Sequence, residues 1–354
     1  MSAIALETVE VHAEGEPGRI VMNADALVRG DTMAAKFAYC RDNLDDVRRM
    51  LLREPRGYPG LCAVFVLDPV NPGSDFGIIV LEHGGFTPMS GSNTMCAVTA
   101  VLETGRIPVQ EPVTELTIDT AVGVIRAKAH VSGGRVESVT VINVPAYVVE
   151  LDRTLVVPEI GNVAADIVFG GQFFAQVRAA DLGVELRPEN GRELARLGAL
   201  IKLAAQDQVA VAHPLNPEID RVSLVMLHSG DPEPGRENRN TVIMTNGLLL
   251  ADRPATWTGA LDRSPCGTGT SARMAALHAR GVLGVGEDFV HRSIIGSEFT
   301  GRLTGTTEIA GSPAVLPTVN GRAWVTGRAS WTVDRTDLFP AGFTVGDIWS
   351  PELA

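Results

Sequence analysis

Apolar residues occur in short blocks along most of the chain. Apolar positions alternate in the first thirty residues on either side of a GEPG turn, which predicts two short strands joined by a turn. The runs CAVFVL at 62–67 and FGIIVLE at 76–82 predict two further strands. Between residues 33 and 52 the apolar positions recur at helical spacing, so we expect a single helix there with Asp31 as its cap.

The same order of predicted elements occurs twice. After a first set of strands, SGSNTMCAVTAVLETG at 90–105 predicts a small-residue loop that enters a buried helix. After a second set, SPCGTGTSARMAALHARG at 264–281 predicts the same arrangement. This repetition predicts two similar halves. The expected halves are residues 1–155, completed by 336–354, and residues 156–335.

Composition and charge narrow the class of protein. A chain of 354 residues with 45% hydrophobic and 20% charged residues suits two globular domains. The formal net charge of −12 argues against a nucleic-acid partner. No apolar stretch approaches the roughly 18 residues that span a bilayer, and the acidic N-terminal segment is not typical of a signal peptide. The four cysteines have no CxxC spacing, which favours free thiols in a cytoplasmic enzyme.

The segment around Cys266 carries the strongest chemical signal. Small residues follow it, so that Cys266 stands at the N-terminus of the predicted helix, where the helix dipole is expected to lower its pKa. The N–H groups of Gly267 and Thr268 would suit a substrate carboxylate. Asp262 would suit a cationic amine. The alternatives are a buried structural cysteine beside a tight turn, or a phosphate-binding loop, which here lacks the lysine of a P-loop.

A second loop has the same design with serine in place of cysteine. Ser90 precedes Gly91 and Ser92 as Cys266 precedes its own small residues. Taken alone, Ser90 would be a simple helix N-cap, but its place in the matching loop favours a functional role. Cys96 falls on the apolar run of the following helix, so we expect it to be a core residue.

The remaining candidate groups are weaker. His228 precedes the SGDPEPG turn and is either a wall or hydroxyl contact for a substrate or a structural histidine. Asp231, Glu233 and Glu237 are typical of a solvated acidic loop. No cluster of His, Asp or Glu has the spacing of metal ligands, so we expect no metal site.

These motifs resemble those of the proline racemase family. DRSPCGTGTSARMA is similar to the second catalytic motif of that family almost letter for letter. TPMSGSNT resembles the first motif, in which most members carry Cys-Gly-His. Further similar segments spread the resemblance over nearly the whole chain: VEVHAEGEPGRIV near the start, REPRGYPG at 53–60, GGQFF at 170–174, HRSIIGSEFTG at 291–301 and GRAWVTG at 321–327.

The resemblance implies a fold, a site and the absence of a cofactor. The implied fold is α/β (α+β), similar to diaminopimelate epimerase, with two pseudo-symmetric halves, each a curved, mostly antiparallel sheet around a central helix. The substrate is implied to lie between the halves, at the two helix N-termini, and a homodimer is implied by the family alone. Pyridoxal phosphate is implied to be absent, and none of the three lysines stands in a motif for a Schiff base.

The pair of loops also decides between reactions. Racemisation needs an acid/base group on each face of Cα, and the family implies two thiols for this, whereas here Ser90 replaces one of them. Dehydration of trans-3-hydroxy-L-proline to pyrroline-2-carboxylate needs only one thiol, so we favour it over 4-hydroxyproline 2-epimerisation or proline racemisation. Two alternatives remain open, a catalytically silent protein that binds a proline analogue and a diaminopimelate-type epimerase.

Overall fold

A computed structural model describes residues 5–217, 219–232, 237–245, 249–334 and 336–349. The described part of the chain is a mixed α+β fold made mostly of strands. It divides into two compact units, one formed by Met1–Val141 with Gly321–Ala354 and the other by Ile142–Asn320. The expected fold class is therefore confirmed.

The helices and strands are numbered in chain order. The strands are β1 (Leu6–Ala13), β2 (Glu16–Val21), β3 (Cys62–Leu67), β4 (Phe76–Glu82), β5 (Gly85–Thr87), β6 (Val113–Thr120), β7 (Gly123–Ser132), β8 (Arg135–Ile142), β9 (Tyr147–Val157), β10 (Gly161–Phe169), β11 (Phe173–Arg178), β12 (Val222–His228), β13 (Asn240–Thr245), β14 (Gly259–Leu261), β15 (Asp288–Arg292), β16 (Glu298–Ile309), β17 (Ser312–Gly321) and β18 (Ala323–Trp331). The α-helices are α1 (Met33–Asn43), α2 (Asp45–Leu52), α3 (Gly91–Glu103), α4 (Gly191–Gln208) and α5 (Gly267–Ala279).

The first unit is a mostly antiparallel sheet with α3 packed against it. Its strands lie in the order β8-β7-β6-β4-β3-β2-β1-β18, and β5 pairs with β4. The pairs β2/β3 and β4/β6 are parallel. Helix α3 contacts β1, β2, β3, β4, β7 and β18, and every residue from Gly91 to Leu102 is buried. A helix enclosed on so many sides needs small and apolar residues all round, which is what its sequence supplies.

The single helix expected over residues 33–52 is in fact two helices. The chain leaves helical geometry at Leu44, which lies between α1 and α2. The cap also differs from the expected Asp31, because Thr32 is the extended residue whose Oγ1 accepts a hydrogen bond from the Ala35 N–H at 3.1 Å. Thr32 lies one residue closer than Asp31 to the unpaired N–H groups of the first helical turn.

The second unit places a helix on each face of a six-stranded sheet. The strand order is β14-β13-β12-β11-β10-β9, antiparallel except for the parallel pair β11/β12. Phe173, Ala175 and Val177 of β11 point into the hydrophobic cluster that includes α4. Met226 of β12 points to the other face, where its methyl group approaches Gly269 of α5.

The first unit ends before the boundary at residue 155 expected from the sequence. Strand β9 belongs to the second unit because it pairs with β10 along its length, from Tyr147 opposite Phe169 to Val157 opposite Gly161. Strands β15, β16 and β17 of the same unit form an antiparallel ladder, and α5 packs on β16.

Candidate active site

Cys266 has a backbone conformation that is rare for a residue with a side chain. Its φ is +62° and its ψ is 114°, immediately before α5. Such a residue costs about 1–3 kcal/mol and persists only where its surroundings hold it. The Cys266 N–H donates to Ser264 Oγ at 3.1 Å, and the Cys266 carbonyl accepts from the Thr270 N–H at 2.8 Å. The backbone is therefore held on both sides of the thiol.

The thiol lies over the first turn of α5. Its Sγ accepts a hydrogen bond from the Gly269 N–H at 3.3 Å and lies 3.6 Å from Thr268 Oγ1. A Cβ at position 269 would lie 3.1 Å from this Sγ and 2.6 Å from the Met226 methyl carbon. Glycine is thus the residue that lets the backbone approach the sulfur so closely, and Gly267 and Thr268 are the first residues of the helix, as expected.

The electrostatics of the thiol differ from the sequence-based expectation. Burial, followed by the charge of Asp262, raises the pKa of the Cys266 thiol well above its ordinary value. The hydrogen bonds with Thr268 and Gly269 lower that pKa, but by less. The predicted lowering of the pKa by the helix N-terminus was wrong because desolvation outweighs it, so this thiol is protonated at neutral pH.

Asp262 lies beside the thiol, as its place in the motif suggested. It is 4% exposed, and its Oδ1 accepts both the Ser264 N–H and the Ser264 hydroxyl at 2.8 Å. Because Ser264 Oγ also accepts the Cys266 N–H, these three residues form one continuous hydrogen-bonded set. The structure thus brings together Asp262, Cys266 and the first turn of α5.

The GGQFF segment packs closely against the start of α5, which explains why it begins with glycine. A Cβ at Gly170 would lie 2.4 Å from the carbonyl oxygen of Thr268 and 2.5 Å from the backbone nitrogen of Ala272. Asn143 donates through Nδ2 to the Gly170 carbonyl and to Ser271 Oγ, both at 2.9 Å. This segment therefore fixes the first turns of α5 by close backbone packing.

His228 lies near this set without touching the thiol. It is buried at the end of β12, two residues beyond Met226, and its Nδ1 accepts the Gly230 N–H at 3.1 Å. Its Nε2 therefore carries the proton. Burial, followed by the charge of Arg273, holds its pKa well below the usual range. Among the contacts of the described residues, none joins His228 to Cys266.

Sequence reasoning missed a buried arginine in α5. Arg273 is 2% exposed and donates to the Gly230 carbonyl at 2.9 Å and to Asp231 Oδ1 at 2.7 Å. Its Nη1 lies 4.0 Å from the buried Asp166 carboxylate, which is also bound by Arg280. The signal was available, because Arg273 is the charged residue in a helical run of otherwise small and apolar residues.

The expected acidic loop is only partly described. Asp231 is not simply solvated, because it pairs with buried Arg273. Glu237 pairs with Arg239 and Arg292. Glu233 lies outside the described residues.

Ser90 has an ordinary backbone conformation, unlike Cys266. Its φ is −147° and its ψ is 127°, and although it stands at the N-cap of α3, its side chain does not cap the helix. Its Oγ accepts from Asn93 Nδ2 at 3.0 Å and lies 3.4 Å from Ser92 Oγ. Among the described residues, no carboxylate, imidazole or amine is hydrogen bonded to this hydroxyl. The Ser90 hydroxyl therefore has no hydrogen-bonded base, among these residues, that could remove its proton.

The other residues of α3 that the sequence singled out lie in its first turn and in the core. Cys96 is 1% exposed, as expected for a core residue, and burial raises the pKa of its thiol. Gly91 and Ser92 are buried in the first turn of the helix. In the part of the chain that the structure describes, no three His, Cys, Asp or Glu side chains come together to hold a metal ion. None of its helices is both long and apolar enough to cross a membrane.

The fold defines a broad structural class before any closer relationship is considered. A phenazine biosynthesis protein of the PhzF family from Bacillus anthracis superposes with a TM-score of 0.57 over 93% of this chain and 99% of its own, at 11% identity. At that identity the likeness shows the fold alone.

The family itself follows from a much closer match. The model of the proline racemase family matches residues 8–344, and the chain belongs to this family. A 4-hydroxyproline 2-epimerase from Streptosporangium roseum is 38% identical over 335 residues, covering 95% of this chain and 97% of its own. A proline racemase from Clostridioides difficile is 35% identical over 339 residues, covering 96% and 98%. A hydroxyproline epimerase from Agrobacterium vitis, crystallised with trans-4-hydroxy-L-proline, superposes with a TM-score of 0.90 at 36% identity, covering 99% and 98%.

Proposed function

We propose that this protein removes and returns the Cα proton of a proline-type amino acid without a cofactor, with Cys266 as its principal acid/base. The observation that carries the proposal is the strained Cys266, whose thiol is held against the N-terminus of α5 beside a buried carboxylate. The membership of the proline racemase family supports it.

The first turns of the two central helices would bind the substrate. The N–H groups of Gly267 and Thr268 begin α5 and have no carbonyl partner within that helix, so they suit a carboxylate. Gly91 and Ser92 begin α3 in the same way. A substrate held by both loops is part of this proposal, as is a hydroxyl contact from His228.

Asp262 would both bind the ring nitrogen and control the thiol. Its negative charge is one cause of the raised pKa of Cys266. A cationic ring nitrogen placed against this carboxylate cancels that charge, so the pKa of the thiol falls when the substrate binds. The thiol then loses its proton to solvent and becomes the base that attacks the Cα–H bond.

Epimerisation of 4-hydroxyproline at C2 is the reaction that the relatives favour. The named relatives are epimerases and racemases, which reverses the preference for dehydration drawn from the sequence. The Cys266 thiolate takes the Cα proton from one face, and the Ser90 hydroxyl supplies a proton to the other. Water then returns a proton to Ser90.

Dehydration of trans-3-hydroxy-L-proline is a second candidate, and the surroundings of Ser90 favour it. Ser90 accepts from Asn93 and has no hydrogen-bonded base among the described residues. In this reaction the thiolate takes the C2 proton and the electron pair of that bond forms the C2–C3 double bond. The C3 hydroxyl gains a proton from the resulting thiol and leaves as water, and the enamine product tautomerises to the cyclic imine. The hydrogen and the hydroxyl lie on the same ring face, so a second base is not needed.

One experiment tests both reactions. The purified protein is incubated in D2O with trans-4-hydroxy-L-proline and, separately, with trans-3-hydroxy-L-proline, and NMR follows both. Deuterium at Cα with formation of cis-4-hydroxy-D-proline supports epimerisation, and loss of the second compound to a cyclic imine supports dehydration. Both activities should vanish in Cys266→Ala.

The variant Ser90→Ala separates the roles of the two loops. It should abolish formation of the 2-epimer while Cα exchange of the starting isomer continues, because Cys266 alone can remove and return that proton. Binding of a proline analogue without exchange at Cα in the wild type would refute the proposal and favour the silent binding protein.

A further inference from the structure

The threonines four residues after Ser90 and Cys266 make different hydrogen bonds. Thr94 Oγ1 donates to the Ser90 carbonyl at 2.7 Å, the usual bond of a helical threonine to the residue four positions before it. Thr270 Oγ1 instead lies 3.2 Å from the carbonyl of Pro265, five positions before it, and 3.0 Å from His291 Nδ1. Equivalent residues in the two loops thus hold different carbonyl groups.

The carbonyl bound by Thr270 belongs to the peptide that precedes the strained residue. The orientation of the Pro265–Cys266 peptide sets φ of Cys266, because it contains the Cys266 nitrogen. Thr270 and His291 are 0% and 1% exposed, so water does not compete for these bonds. In the Ser90 loop, where φ is −147°, Thr94 makes only the ordinary helical bond and no histidine adjoins it in the described contacts.

The number of protons fixes the direction of the hydrogen bonds. Thr270 has one hydroxyl proton, and if it donates this proton to the Pro265 carbonyl, His291 Nδ1–H must donate to Thr270 Oγ1. This requires a proton on Nδ1 of His291. Burial and the charge of Arg273 lower the pKa of His291 to about 3, so that ring is neutral at working pH.

We propose that Thr270 and His291 are a pair of positioning residues, which lock the Pro265–Cys266 peptide so that the Cys266 thiol stays against the Gly269 N–H. Neither residue is required to touch the substrate. Their effect on turnover rests on the proposed function, whereas their effect on the thiol does not.

The first test compares three threonine variants. Thr270→Val keeps the shape but loses both hydroxyl bonds, Thr270→Ser restores the hydroxyl, and Thr94→Val makes the same change in the other loop. Alkylation of Cys266 by iodoacetamide is followed against pH by mass spectrometry of its peptide. Because the thiolate in Thr270→Val loses the charge-assisted bond from Gly269, alkylation near pH 8 should fall about tenfold. It should recover in Thr270→Ser and be unchanged in Thr94→Val.

The second test concerns the histidine and turnover. His291→Asn keeps a polar atom at the place of Nδ1 and should preserve the reactivity of Cys266, whereas His291→Leu should reproduce Thr270→Val. In both defective variants kcat should fall about 100-fold with little change in KM, because a misplaced thiol affects the chemical step. Circular dichroism and thermal unfolding check that each variant is folded.

The outcomes separate the two proposals. A folded Thr270→Val with unchanged alkylation of Cys266, or Thr94→Val with the same defect, would overturn the positioning role. If alkylation changes as expected but the wild type exchanges no proline-type substrate, the positioning role stands and the proposed function fails.

Discussion

Replacing Cys266 by alanine and by glycine tests whether its backbone is strained. Cys266→Ala and Cys266→Gly both lose the thiol, so the difference in stability between them reports the backbone alone. With φ at +62°, the close approach of Cβ to the backbone is unfavourable by about 1–2 kcal/mol, and glycine, which has no Cβ, avoids this cost. Glycine also gains freedom in the unfolded chain, which offsets about 0.4–1 kcal/mol. We expect Cys266→Gly to be the more stable of the two by about 1 kcal/mol.

Ser90 provides the matched control at the same position of the other loop. Its φ of −147° is extended backbone, which any residue adopts. The strain is absent there while the entropic cost of glycine remains, so Ser90→Gly should be less stable than Ser90→Ala by about 0.4–1 kcal/mol. The two loops therefore predict differences of opposite sign, although their sequences match.

Thermal unfolding of the four variants is the assay. For a domain of 150–250 residues, a difference of 1 kcal/mol shifts Tm by about 2–4 °C. If Cys266→Gly melts below Cys266→Ala by as much as Ser90→Gly melts below Ser90→Ala, then Cys266 carries no strain and the reasoning is refuted. Without strain at Cys266, the Pro265–Cys266 peptide would not need Thr270 to hold it, and the proposed positioning role would lose its support.

Three further predictions concern acid strength, a buried charge and pH. Ser90→Cys should raise the rate of 2-epimerisation at least about tenfold, because a thiol of pKa about 8.5 is a far stronger acid than a hydroxyl; an equal rise in dehydration would count against this reason. Asp166→Asn should lower the free energy of unfolding by about 2 kcal/mol, measured in urea, because Arg280 and the buried Arg273 both lose the charge of this carboxylate, whereas Asp288→Asn in an exposed pair should barely change it. Burial lowers the pKa of His83 to about 4, so the unfolded state binds its proton first as pH falls. Stability should therefore decrease by about 2 kcal/mol between pH 6.5 and 5, and less in His83→Asn.

The parts of the fold that depend on local pattern were predictable. The strands at 62–67 and 76–82 have the expected bounds, and both glycine-rich loops enter buried helices. These helices are followed by Gly105 and Gly281, which have φ of +76° and +72°. Each of these features depends on residues that are close together in the sequence. Alternation, runs of small residues and terminal glycines therefore suffice to predict it.

The contacts that support the site join residues far apart in the chain. Thr270 meets His291, twenty-one positions later, and Asn143 meets Ser271, 128 positions later. No local pattern indicates which buried histidine faces which threonine, since that depends on how β15 and α5 pack. A homodimer and a cytoplasmic location stay predictions for a related reason, because each concerns surroundings beyond a single chain.

The sequence predicts a lowered pKa for the Cys266 thiol, whereas the structure indicates a raised one, because a sequence motif does not show how deeply a side chain is buried. A helix N-terminus stabilises a thiolate by an amount that the sequence can suggest, but the opposing cost depends on how completely the sulfur is buried and on how near Asp262 lies. Both terms are set by folding. The same carboxylate that opposes ionisation of the thiol is the group suited to a cationic ring nitrogen, so a bound substrate would remove one of the two causes of the raised pKa. In the proposed reaction, the thiol therefore stays largely protonated in the free protein and ionises more readily once a cationic substrate lies beside Asp262.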